Sequence, residues 1–128
     1  MQFDNNPLSP HLQIYKWQIS SLVSIAHRIV GVLNILAISV ICFWSISLLM
    51  GESSYQNIRF IINSFIGKFF ILFLCWSFSF HILSEIRHLG LDLGYGYELK
   101  TSKITGILTI LCSFIFAISI YYVGKNII

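Results

Sequence analysis

His81-x-x-x-Glu85-x-Arg87-His88-x-x-x-Asp92-x-Gly94 gathers most of the reactive side chains of this sequence into one short stretch. It closes a run that is otherwise apolar, because Lys68 and His81 are the only acidic or basic residues in 67–83. A histidine inside an apolar helix of membrane length is costly unless something binds it. Imidazole is also the commonest side-chain ligand for transition metals and an axial ligand for haem iron. His81 and His88 are seven residues apart, almost two helical turns, which leaves them about 20° apart on one face. Ser77 at i−4 and Ser84 at i+3 put small side chains beside His81. Two readings follow: His81 ligates a metal such as haem iron, or it hydrogen-bonds to a neighbouring helix.

A second constellation opens the first apolar run. Ser24, His27, Arg28 and Gly31 stand at i, i+3, i+4 and i+7, one side of a helix. A guanidinium there either snorkels to lipid phosphate or clamps a carboxylate such as a haem propionate through its planar fork. Serine can donate to a quinone carbonyl, and Gly31 lets a flat ring or a second helix come close. If His81 and Arg28 lie toward one membrane edge, propionates of a porphyrin at His81 could point to Arg28, Arg87 or His88. Glu85-x-x-His88 also has the spacing of di-iron carboxylate helices, but the further Glu residues and second motif those sites need are missing. Asp92 is read as a proton relay at the edge, a cap or a salt-bridge partner. Trp17 is read as an interfacial anchor, and His11 as facing solvent or a partner. Cys42, Cys75 and Cys112 fall one per apolar run without a CxxC, as small apolar filler.

The elements that must position these groups are helices. The chain has 128 residues, 56% of them apolar and only 10% charged, with a mean hydropathy of +0.80. A soluble domain carries about a quarter charged residues, so the sequence predicts an all-α integral membrane protein forming one domain over 1–128. Spans are expected at about 24–50, 67–91 and 104–123, each long enough for a ~30 Å hydrocarbon layer. Residues 1–23 read as an amphipathic lead-in at the interface, with Pro7 and Pro10 keeping its start extended. Ile58 to Ile66 reads as a short amphipathic helix after a break at Gly51. Residues 1–15 hold Asp4 and no Lys or Arg, unlike a signal or presequence. The net charge of +3 gives no reason to expect nucleic acid. Lys16, Arg28, Arg87, Lys100 and Lys103 on the N-terminal side outnumber Arg59, Lys68 and Lys125, which puts the N-terminus in the matrix or cytoplasm. Three helices make a thin core, so partner chains and lipid are expected around them.

Pro7-Leu8-Ser9-Pro10-His11-Leu12-Gln13-Ile14-Tyr15, Ser24-Ile25-Ala26-His27-Arg28-Ile29-Val30-Gly31, and His81 through Arg87-His88-Leu89 to Asp92-Leu93-Gly94 together resemble the cytochrome b membrane-anchor subunits of succinate dehydrogenase, respiratory complex II. The resemblance covers essentially the whole chain. It implies a subunit that, with a second small membrane anchor, holds an iron–sulfur subunit and a flavoprotein subunit at the membrane. It implies His81 as an axial ligand of haem b shared with that second anchor. Ser24 and Arg28 would line the ubiquinone site with Trp17 nearby. His27, Arg28 and His88 would lie at the haem propionates, and Asp92 on a proton route to reduced quinone. It places the chain in the mitochondrial inner membrane with the N-terminus in the matrix, or in a bacterial inner membrane with the N-terminus cytoplasmic. An anchor of fumarate reductase and a haem-less structural anchor are the alternatives. The family pattern usually has glycine where this chain has Glu85. At i+4 this carboxylate is within about 40° of His81, and it is expected to pair with Arg87, His88 or a partner residue, to be protonated, or to accompany an altered haem site.

Overall fold

Isoleucine, leucine, valine and phenylalanine fill three long stretches, and a chain in hydrocarbon must satisfy its own backbone polar groups. Helices do this within one segment. The computed structural model describes residues 17–127, and these form α1 (Ile19–Leu49), α2 (Glu52–Asn63), α3 (Phe65–Asp92) and α4 (Leu99–Ile127). α1, α3 and α4 are each long and apolar enough to cross a membrane. Among the described residues there is no strand.

The boundaries differ from expectation in instructive ways. α1 begins at Ile19, so residues 19–23 are helix and not lead-in. Pro7, Pro10, His11 and Leu12 to Tyr15 lie outside the described residues. α2 starts at Glu52 and stops at Asn63, earlier at both ends than 58–66. Ser64 ends it, with φ −62° and ψ 159°. Its hydroxyl donates to the Ile61 carbonyl (2.6 Å) and accepts from Gly67 N–H (3.0 Å), which caps α3. A Cβ on Gly67 would collide with the Ile61 and Ile62 carbonyls, so the tight α2–α3 corner requires glycine there. α3 ends in a Schellman turn: Tyr95 N–H reaches the Gly90 carbonyl and Gly94 N–H the Leu91 carbonyl, with Gly94 at φ 89°.

α1 and α3 run antiparallel. The pairings Asn34 with Ser77, Gly31 with His81 and His27 with Glu85 descend one helix while ascending the other. Val23, Val30 and Phe80 form a small core, with Ile19, Ala26, Leu33, Trp76 and Ile110 against it. The seams are made of small residues: Ser77, Ser84 and Ser113 are completely buried. Lipid tails are as apolar as leucine, so close backbone approach and hydrogen bonds hold such helices together. Ser77 Oγ lies 3.0 Å from Asn34 Oδ1 and 3.3 Å from the Val30 carbonyl, tying α3 to α1. Trp76 Nε1 donates to Ser113 Oγ at 3.2 Å, tying α3 to α4. Each tie contributes about 0.6 kcal/mol on average in membranes. α4 covers one flank of the α1–α3 pair, with Gly106 so close beneath Ile19 that a Cβ would lie 2.9 Å from Cγ2. The described residues leave the other flank open, where Arg28, Ile35, Ile38, Phe78, Ile82 and Glu85 are exposed.

Candidate functional site: a histidine cluster on the open flank

The helical arithmetic of both segments aims their histidines at one seam. On α1, Val23 and Val30 point into the core, and His27 and Gly31 sit about 40° and 80° round toward the open flank. On α3, Ser77 and Ser84 point into the core, and His88, His81 and Glu85 lie about 20°, 40° and 80° round. Because the helices are antiparallel, both offsets lead to the same flank. His27 stacks on His81 with ring centroids 4.3 Å apart and planes 1° from parallel. His88 lies 5.2 Å from His27. Gly31 supplies the floor, since a Cβ there would already touch His81 Cε1 at 3.6 Å.

The polar atoms of this cluster are incompletely matched. His81 Nδ1 and His27 Nε2 are buried and make no hydrogen bond. His27 Nε2 does lie 3.0 Å from Glu85 Oε2, but off the direction an N–H would take, so the contact is a charge beside a ring nitrogen and not a directed bond. Among the described residues, His81 makes no hydrogen bond to a neighbouring helix. An imidazole with no hydrogen-bond partner retains a lone pair for a metal, and its burial in a span goes uncompensated without one. His88 is different. Its Nδ1 is 2.7 Å from the Ser84 carbonyl, which can only accept, so Nδ1 carries the proton and neutral Nε2 carries the lone pair. Holding a carboxylate with Nε2 would require His88 to gain its second proton.

Glu85 faces His27, a pairing that differs from the expected Arg87 or His88. Arg87 is engaged elsewhere. It turns to α4, donating from Nε to Thr105 Oγ1 (3.2 Å) and from Nη2 to Ser102 Oγ (2.9 Å) and the Ser102 carbonyl (3.2 Å). Its side chain is directed toward α4, away from the His27–His81 stack. Ser24 is half-buried and Arg28 exposed. Both lie on the same side of α1 as Gly31, within two turns of the stacked rings. Trp17 lines a separate hollow of about 390 Å³ with Gln18, Ser20, Leu99, Ser102 and Lys103, and Ser24 and Arg28 do not line it. Asp92 ends α3, exposed and in no ion pair among the described residues. Backbone bonds close the helix end, with no side-chain bond from Asp92 among the described residues. The Glu85-x-x-His88 pair gathers no further metal ligands: no group of three His, Cys, Asp or Glu converges among the described residues. Asn34 escaped notice in the sequence, though a polar amide deep inside an apolar span was signal enough to expect an interhelical partner.

Known proteins share this arrangement of sequence. The family described as succinate dehydrogenase/fumarate reductase transmembrane subunit matches residues 2–120. The succinate dehydrogenase cytochrome b556 subunit of Rickettsia felis is 37% identical over 111 residues, covering 87% of this chain and 86% of that relative. The cytochrome b560 subunit of Reclinomonas americana is 34% identical over 122 residues, covering 89% and 83%. The cytochrome b556 subunit of Paracoccus denitrificans is 28% identical over 123 residues, covering 88% and 95%.

Proposed function

The chain belongs to the family of succinate dehydrogenase/fumarate reductase transmembrane subunits, and on that premise we propose that it anchors a succinate:quinone oxidoreductase, gives His81 to haem b as one axial ligand, and lines the ubiquinone-reduction site with Ser24 and Arg28. The observation carrying this reading is the placement of His81: a half-buried imidazole, without a hydrogen bond among the described residues, on the flank these residues leave open and within a turn or so of Arg28. The cytochrome b names of the relatives fit that donor. Bound there, haem b supplies a one-electron carrier inside the membrane.

The chain's own side chains have separable tasks. Gly31 leaves room on α1 for the edge of the His81 ring. Arg28 offers five N–H donors to a carboxylate or a developing quinone oxyanion, and the Ser24 hydroxyl donates to a quinone carbonyl. His27, Arg28 and protonated His88 are the groups suited to haem propionates. Asp92, exposed at the helix end, suits proton delivery. The second axial ligand and the open flank's cover belong to a second small membrane anchor. Succinate oxidation belongs to a flavoprotein and an iron–sulfur subunit, since this chain alone has no flavin motif or thiolate cluster. The excess of basic residues at the start of α1, the end of α3 and the start of α4 directs the N-terminus to the matrix or cytoplasm of an inner membrane. A second reading, a structural anchor without haem, is favoured by one feature, the Glu85 carboxylate beside the ring that covers His81.

Arg28→Ala tests the quinone assignment. Electron transfer from succinate to ubiquinone should fall about 10–100-fold, the loss of one charge-assisted contact in the transition state. Succinate oxidation by an artificial acceptor should persist. Unchanged quinone reduction would remove Arg28 from the site.

A further inference from the structure

On the other side of α3, the guanidinium of Arg87 borders an open groove of about 410 Å³ between α3 and α4. Leu83, Ile86 and Leu91 line it on α3, and Thr101, Thr105 and Thr109 line it on α4. We propose that this groove binds the headgroup of an anionic phospholipid, with Arg87 holding its phosphate.

Three observations carry this. First, the charge of Arg87 is unbalanced. All three of its hydrogen bonds go to neutral oxygens of Ser102 and Thr105, and no carboxylate of the described residues lies within ion-pair distance. A guanidinium inside a spanning helix is costly in that condition. Second, the fork is only partly used. Nε and Nη2 supply the three bonds, while Nη1 is neither bonded nor enclosed by protein. Its two N–H groups are the donors a phosphate takes. Third, the depth is right. Arg87 is five residues before the end of α3 at Asp92, about 7.5 Å along the axis. That is the layer where headgroup gives way to acyl chain. The groove contains no acidic side chain to receive a choline or ethanolamine cation, so the unbalanced positive charge selects a lipid of net negative charge. The groove shares no lining residue with the His27–His81 cluster.

Native mass spectrometry of the detergent-purified complex, titrated separately with phosphatidylglycerol, phosphatidylcholine and inorganic phosphate, tests the proposal. The unaltered complex should retain one phosphatidylglycerol that phosphatidylcholine and millimolar phosphate do not displace. Arg87→Lys, which keeps the charge, should hold it, and Arg87→Gln should weaken it about tenfold or more. Thr101→Phe, which fills the groove and leaves Arg87 in place, should expel it as well, and decides the matter if Arg87→Gln fails to assemble. Equal retention in the unaltered, Arg87→Gln and Thr101→Phe complexes would overturn the proposal. So would absence of any bound lipid from the unaltered complex, as expected if a partner carboxylate neutralises Arg87. Phosphatidylcholine or free phosphate competing on equal terms would contradict the choice of an anionic lipid.

Discussion

Glu85 stands where the resemblance leads one to expect glycine, and the structure gives that carboxylate a neighbour in His27. That pairing was not legible in the sequence, which sets angles along one helix but not the register between two. Other residue-level features were legible. The seven-residue spacing put His81 and His88 on one side of α3, and the i, i+7 spacing aligned Ser24 with Gly31. The same arithmetic sets Arg87, six residues from His81, about 120° round the helix, in keeping with its bonds to α4. A carboxylate stabilises the more positive, oxidised state of a nearby carrier. Glu85→Gly should therefore raise the midpoint potential of the haem by some tens of millivolts, about what one partly screened charge contributes at this range. A redox titration of the purified complex checks this, and an unmoved potential would mean that the carboxylate is neutral or too well solvated to act.

At the scale of elements, composition alone located the three long helices, because runs of Ile, Leu, Val and Phe have one stable form in lipid. Their starts were less legible. Gln18, Ser20 and Ser21 hid the first turn of α1 inside what read as a lead-in. Glu52, Ser53 and Ser54 read as loop although they form the first turn of α2. Ser64 ended that helix where apolar residues on both sides argued for continuation. The seams were harder still. Gly106 drew no attention, yet it brings α4 within contact of Ile19 and Val23. Gly106→Val should force α1 and α4 apart and cost about 1–3 kcal/mol, visible as a lower unfolding temperature of the assembled complex. An unaltered melting curve would mean that α4 packs less tightly on α1 than the structure shows.

At the scale of the whole molecule, three spans bury little of themselves, and the asymmetry of that burial carries the function. α4 closes one flank, while His27, His81, Glu85 and Arg28 share the other. Sequence reasoning anticipated that His81 and Arg28 face a common edge, but could not show that α4 stays clear of them, since the choice of flank depends on small buried residues such as Gly106 and Ser113. In the proposed complex a second anchor completes the open flank, with a haem held between the two chains. An absorption spectrum of the intact complex, before and after His81→Leu, tests this most directly. The unaltered complex should show a low-spin b-type haem, and the His81→Leu complex, still assembled with its partner subunits, should have lost it. A haem spectrum that survives the substitution unchanged would contradict the assignment of His81.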